Sequence, residues 1–427
     1  MTRVAIVDGI RTPFVKAGDR LSRMGAQELG RIAVRELLEK TDIDPATVDE
    51  VIIGNVAQPM EATNISRVIE LNSGMPLSMS AHTVSRNCAS GLQSIAEGFE
   101  LIRSGQAHTV VVGGTESMSN IPLMYPREMS DFMGNVWRAK SRLKKAAALA
   151  KFRPRMLKPV VALAEGLKDP FSGLNMGETA EVLAKEFHIT RREQDEFALQ
   201  SHQRAVAATK SGRMADEIVP IYLPGEPEPL GNDIGPRENQ TIEALERLTP
   251  YFDRRYGTVT AGNSSPITDG AAALLLMSEA RVQVTGIQPL AWIRSYGFAG
   301  LDPRRMGLGP AVAAPIALRR AGLSMREIEL VEMNEAFAAQ VLANLRVFER
   351  PKLGEAVGAD QPELAPIDVG RLNVNGGAIA LGHPVGTSGT RITLTLAKEM
   401  KRRNLQLGLA TLCVGGGQGA AMVLERR

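Results

Sequence analysis

Only two cysteines occur in 427 residues, Cys88 and Cys413, too few for a disulfide framework. Both are expected as free thiols in a reducing compartment. The chain also lacks a long apolar run near its start: Val4-Ala5-Ile6-Val7 turns polar at Asp8, too brief for a secretory signal or a membrane span. The expected location is cytoplasmic, with attachment to a membrane limited to its periphery. Net charge is nearly absent as well. At +3 the chain carries no excess that would suit nucleic acid or an acidic polymer, and neither is expected as a partner.

What is present is apolar material: 44% hydrophobic composition over this length can bury a large core in two or three domain-sized units. Residues 4–7 read as a buried strand, 26–40 as an amphipathic helix, 51–54 as the next strand and 110–114 as another ending in glycines. This alternation predicts an α/β architecture. The same pattern returns near the C-terminus, where Leu323, Ile328 and Val331 match Ile43, Val48 and Val51 at one constant offset. Ser388-Gly389 before a helix likewise echoes Ser90-Gly91, and the strand over 409–413 echoes the one ending at Gly113. Two copies of one α/β unit are expected. Corresponding loops of such copies lie on the same side of the joint, which would gather Cys88, Asn334, His383 and Cys413.

Residues 117–262 break the repeat and read as an insertion. Within it, 132–164 holds nine Lys or Arg and no Asp or Glu, so everything outside that segment sums to −6. Its pattern predicts a helix over 136–152 that mixes Trp137, Leu143, Leu149 and Phe152 with the bases and is stopped by Pro154 and Pro159. A basic amphipathic helix lies on an anionic membrane, docks a partner, or is simply the solvated face of its own domain.

Cys88 sits in Ser-Arg-Asn-Cys-Ala-Ser-Gly, ahead of an apolar helix pattern that runs to Ile102. A thiol at a helix start is a candidate nucleophile because the amide end favours its anion; the competing reading is a buried, inert cysteine. Three later motifs fall at strand ends or helix starts, where α/β folds build sites. They are Asn334-Glu335-Ala336-Phe337, Gly382-His383-Pro384-Val385-Gly386-Thr387-Ser388-Gly389, and Cys413-Val414-Gly415-Gly416-Gly417-Gln418-Gly419. The small polar residues over 258–273 suit the close approach of an elongated ligand, or form an ordinary turn.

Taken in order, Asn-Cys-Ala-Ser-Gly, Asn-Glu-Ala-Phe-Ala, Gly-His-Pro-x-Gly-x-Ser-Gly and Cys-x-Gly-Gly-Gly-x-Gly resemble the thiolases, acetyl-CoA acyltransferases, over nearly the whole chain. The resemblance implies a thiolase-like fold of two similar α/β halves with an inserted loop domain. The halves would be 1–117 and 287–427, the insertion with its CoA and acyl pocket 118–262, and 263–286 a return to the N-terminal half. It further implies that Cys88 takes the acyl group while His383 withdraws its proton. Cys413 would protonate the departing acetyl-CoA carbanion and then deprotonate the incoming CoA thiol. His383 and a water held by Asn334 would stabilise charge at the breaking bond, and the amides of Cys88 and Gly415 the thioester oxygen. Ser265 would touch the pantetheine arm, with Met176 and Phe337 lining the acyl pocket. No metal or permanently bound cofactor is implied: CoA is a co-substrate, acyl-CoA and CoA are the ligands, and the assembly is a homodimer or tetramer.

Departures from the family pattern refine this. Short-chain biosynthetic thiolases typically carry His before the Met-Gly at 176–177, and here it is Asn175. That weakens a purely acetoacetyl-CoA assignment; thiolytic cleavage of 3-ketoacyl-CoA, as in fatty-acid β-oxidation, is expected over condensation to acetoacetyl-CoA because thioester formation from a 3-ketoacyl-CoA runs downhill. The basic insertion resembles the thiolase subunits of membrane-associated fatty-acid oxidation complexes, which work with a hydratase/dehydrogenase partner subunit; those subunits usually have His where this chain has Asn334. A ketoacyl synthase of the same superfamily would lack Cys413, and a non-catalytic membrane scaffold would not need all four reactive positions.

Overall fold

The computed structural model describes residues 2–426. Its strands are β1 Val4–Arg11, β2 Val15–Lys16, β3 Glu50–Gly54, β4 Ser80–Val84, β5 Thr109–Ser117, β6 Leu123–Met124, β7 Val160–Val161, β8 Thr268–Ser278, β9 Ala291–Gly300, β10 Leu330–Met333, β11 Leu407–Val414 and β12 Gln418–Glu425. β5 and β8 are buried along their whole length, as central strands covered on both faces must be. Side chains alternate accordingly. Val110, Val112, Leu274 and Leu276 face one core while Val111, Leu275 and Met277 face another.

Ten strands form one mixed sheet in the order β10-β11-β12-β9-β1-β8-β5-β3-β4, with β2 paired to β8. The duplication is visible in this order. In the first half β3 pairs in parallel with β4 and β5, and β8 runs antiparallel to β5 and β1. In the second, β10 pairs in parallel with β11 and with Leu372, and β12 runs antiparallel to β11 and β9. The halves join where β1 meets β9 over Val4–Ile6.

Helices Ser90–Arg103 and Ser388–Arg403 lie in the core shared by strands of both halves. They meet through glycines: a Cβ on Gly91 would sit 2.8 Å from the Thr390 amide nitrogen, and one on Gly389 2.4 Å from that of Leu92. The Thr390 hydroxyl donates to the Gly91 carbonyl at 3.2 Å. The corresponding helix starts of the two copies are thus packed backbone to backbone.

The single helix expected over 136–152 is instead two, Arg127–Arg138 and Arg142–Leu149. The chain extends at Ala139 and Ser141, and the Ser141 hydroxyl accepts the Lys144 N–H to start the second helix. Phe132 stacks at 5.6 Å on Phe152, Glu128 takes Arg155 in a two-pronged ion pair, and β6 pairs with β7 at the base. These contacts fold the segment back on itself.

Candidate active site

The site is built where four turns from both halves converge. After β4 the chain bends at Asn87, whose φ of 43° is left-handed, a conformation Asn tolerates better than most residues. The Ser90 hydroxyl locks that bend: it donates to the Asn87 carbonyl at 2.7 Å and accepts the Arg86 N–H at 2.8 Å. Cys88 is therefore held, partly exposed, one residue before the N-cap of the helix Ser90–Arg103. Arg86 is fixed in turn by Gln93 and Gln418 and lies 4.2 Å over the Phe298 ring.

Asn87 also ties the two cysteine turns together, its Nδ2 donating to the Gly415 carbonyl at 2.8 Å. Cys413 is near the end of β11, and the glycine run behind it turns the chain into β12 with φ of 87° at Gly416 and 76° at Gly417. A side chain at Gly417 would drive its Cβ to 2.3 Å from the Leu301 carbonyl. At Gly415, whose amide reaches Cys88, a Cβ would sit 3.2 Å from Met176 Sδ.

The thiols respond to this setting differently. Burial pushes the Cys88 thiol up; the amides of Gly415 and of Cys88 itself pull it back down, and the Glu116 charge adds to the rise. The net rise corrects the expectation of a thiol acidified by its helix. Desolvation of the sulfur among its neighbours outweighs the amide field, so the resting group is the thiol. Cys413 is buried, and burial together with the neighbouring Cys88 raises it strongly.

His383 begins the loop that leads into the helix Ser388–Arg403, and its Nδ1 lies 2.5 Å from Ser388 Oγ. The serine hydroxyl points to the Pro384 carbonyl at 3.2 Å, which assigns the proton between His383 and Ser388 to Nδ1 and leaves Nε2 as the acceptor. Burial, aided by the positive Arg391, pushes the imidazole down to about 4, so it is neutral at pH 7. Arg391 is itself buried and pairs with Glu332 at 3.3 Å.

Asn334 follows β10, its N–H donating to the Thr411 carbonyl at 3.0 Å. Its side-chain amide is buried with neither Oδ1 nor Nδ2 hydrogen-bonded among the described residues. Such a group is free to hydrogen-bond a ligand atom, and leaving it unpaired costs about 1–3 kcal/mol.

Phe337 and Cys413 share an apolar cluster with Ala180, Val259 and Met306, against which Met176 and Phe252 pack. Phe252 meets Phe337 edge-on at 6.1 Å. Met176 is aimed there by a capping box in which Asn175 accepts the Gly177 N–H at 3.0 Å and Glu178 takes the Asn175 N–H at 2.6 Å. Ser264 pairs with Phe337, the Ser265 N–H donates to the Ala336 carbonyl at 3.0 Å, and the His383 N–H to the Pro266 carbonyl at 3.2 Å. The segment 264–266 therefore links the Phe337 loop to the His383 loop.

Cys88, Gly415, Cys413, Met176 and Phe337 are thus joined by contact, and Ser265, His383 and Asn334 by the backbone bonds around them. Sequence reasoning missed Asn87, Arg391 and Glu116. Asn87 stood inside the Asn-Cys-Ala-Ser-Gly motif without a role of its own, and Glu116 left a signal as a carboxylate at the end of an otherwise small and apolar strand; Arg391 left none.

Comparison with known proteins agrees with this geometry. The family described as "Thiolase, N-terminal domain" matches residues 4–280, and "Thiolase, C-terminal domain" matches 287–426. The 3-ketoacyl-CoA thiolase of Pectobacterium carotovorum subsp. carotovorum (strain PC1) is 42% identical over 424 residues, 99% of this chain and 96% of the relative. That of Shewanella halifaxensis (strain HAW-EB4) is 39% identical over 424 residues, 99% of this chain and 97% of the relative. The crystal structure of the Bacillus anthracis acetyl-CoA acetyltransferase superposes with a TM-score of 0.86 at 37% identity, covering 100% of this chain and 99% of that one. Human mitochondrial 3-ketoacyl-CoA thiolase in complex with CoA gives 0.85 at 37% identity, with 100% and 98% coverage. With four motifs converging in one site and matches that span both halves, this chain belongs to the thiolase family.

Proposed function

We propose that the protein cleaves 3-ketoacyl-CoA with coenzyme A to acetyl-CoA and a shortened acyl-CoA, as in fatty-acid β-oxidation, through an acyl group carried on Cys88. The observation that carries this reading is the pair of thiols joined through one glycine turn, with Cys88 under the Gly415 amide and Cys413 buried behind it.

Neutral His383 takes the Cys88 proton at Nε2, and the thiolate attacks the 3-keto carbon. The amides of Cys88 and Gly415 face the oxyanion formed there. When the carbon-carbon bond breaks, its electrons pass to the acetyl-CoA enolate. Imidazolium at His383 and the unpaired Asn334 amide suit the enolate oxygen, while the Cys413 thiol protonates the carbon. Cys413, now the thiolate, takes the proton of the incoming CoA thiol; CoA attacks the acyl thioester, and Cys88 departs as the thiolate and recovers its proton from the His383 imidazolium. Met176, Phe337 and Phe252 supply the apolar wall for the acyl chain. Ser265 would contact the pantetheine arm.

A Cys413→Ser protein, assayed with CoA and 3-ketoacyl-CoAs of increasing length, is expected to lose about 10²–10⁴-fold in cleavage rate. Full activity of that variant would remove the second acid/base from the scheme. Parent enzyme that cleaves acetoacetyl-CoA alone would favour the biosynthetic, condensing reading.

A second reading concerns the basic segment, for which an anionic bilayer is the proposed occupant. Trp137 is 88% exposed and Leu143 85%, beside nine cations of which only Arg155 has a carboxylate within ion-pair reach among the described residues. Exposed apolar side chains interleaved with cations suit a lipid headgroup region, each cation adding about 1 kcal/mol near the surface. No helix among the described residues is long and apolar enough to cross a membrane. The protein is expected to co-sediment with phosphatidylglycerol vesicles at low salt and to be released by high salt or by Lys144→Glu/Lys145→Glu. Absence of binding at low salt would end the membrane idea and leave a partner subunit as the occupant.

A further inference from the structure

Glu116 lies near the end of β5, 1% exposed, and its carboxylate accepts four hydrogen bonds without touching a cation. Oε1 takes the Ala57 N–H and Asn55 Nδ2, both at 3.0 Å; Oε2 takes the Val56 N–H at 3.1 Å and the Gly386 N–H at 2.9 Å. The first three donors belong to the half that carries Cys88. Gly386 belongs to the other half, in the loop between His383 and the Ser388 that orients it.

That loop is seated on β5 with no room to spare. A Cβ on Gly114 would come within 2.1 Å of the Gly386 carbonyl, and one on Gly386 within 2.7 Å of Glu116 Oε2. Asn55 strengthens the seat by donating also to the Thr115 carbonyl at 2.8 Å. A buried carboxylate is costly unless fully bonded, and here each oxygen is satisfied by one donor pair. Burial still pushes Glu116 up to about 7 against the pull of those donors. A fold staple alone would be met as well by an uncharged acceptor, whereas this charge sits beside the loop that bears the proposed base and raises the neighbouring Cys88 thiol.

We propose that Glu116 is a positioning residue for His383. It clamps the Gly386 amide to the Cys88 half, and so fixes the imidazole in register with the nucleophile across the joint. This rests on the reading of His383 as the base. Glu116→Gln preserves size but turns an amide NH₂ toward N–H groups that need an acceptor.

The test is thiolysis of a 3-ketoacyl-CoA by the parent, Glu116→Gln, His383→Ala and the double variant, each with its thermal midpoint. Glu116→Gln should lower kcat by about 10- to 100-fold with KM for CoA within about twofold, since it acts on the reacting groups and not on binding. In the His383→Ala background the same change should cost less than about twofold more, because coupled residues are non-additive. The inference is overturned if Glu116→Gln keeps the parent kcat, or if its loss multiplies undiminished with that of His383→Ala. Retained activity in His383→Ala alone would instead overturn the reading of His383. Should Glu116→Gln fail to fold, Gly386→Ala presses on the same carboxylate from the loop side and carries the same two expectations.

Discussion

Cys88→Ala will lower thiolysis by about 10⁴-fold or more while leaving the protein folded, because it deletes the atom that carries the acyl group from a small side chain at the edge of the core. Acetyl-CoA release from a 3-ketoacyl-CoA in the presence of CoA is the measurement. The parent protein should be inactivated by iodoacetamide with the label on Cys88, and a 3-ketoacyl-CoA should protect it. Selectivity follows from the two settings. Cys88 is partly exposed and has two amides drawing its pKa down, whereas Cys413 is buried and pushed up by burial and by Cys88. Since the Cys88 thiol is raised overall, inactivation should quicken as pH rises and more thiolate forms. Label on Cys413 alone would exchange the two roles, and a Cys88→Ala protein that still cleaved would remove the covalent route.

His383→Ala should cost about 10²–10⁴-fold in kcat/KM, the range for loss of a positioned base. The accompanying pH profile is more diagnostic than the size of the loss. An imidazole lowered to about 4 is already unprotonated at neutral pH, so once the limb near 7 from protonation of Glu116 is removed in Glu116→Gln, the remaining activity should fall only as pH drops toward 4. A raised thiol and a lowered imidazole together describe a neutral resting pair. Without the base, thiolate is drawn only from bulk equilibrium, and residual activity should climb steeply with pH. An acid limb near 6.5 that persists in Glu116→Gln and is abolished in His383→Ala would show that the imidazole is not lowered as its burial requires.

The sequence made the chemistry legible because reactive residues stood inside glycine-rich strings, and close-packed turns require such strings. Cys88, His383 and Cys413 could each be singled out this way, and the constant offset between Val51 and Val331 showed the duplication. What escaped were properties that depend on several distant segments at once. The direction of the Cys88 shift needed the burial of the site as well as its helix start. Glu116 was passed over because its partners come from residues 55–57 and from Gly386, which no local pattern connects to β5. The break at 139–141 was hidden by good helix formers on both sides; a serine cap and the Phe132–Phe152 contact decide it.

The Gly91–Gly389 contact bears on how substrate gets in and out. With main chain resting on main chain at this point, the two helix starts cannot slide past one another there, which holds the spacing between the groups each half contributes. Substrate and products would then pass by movement of side chains and loops around the site and not by parting of the two helix starts.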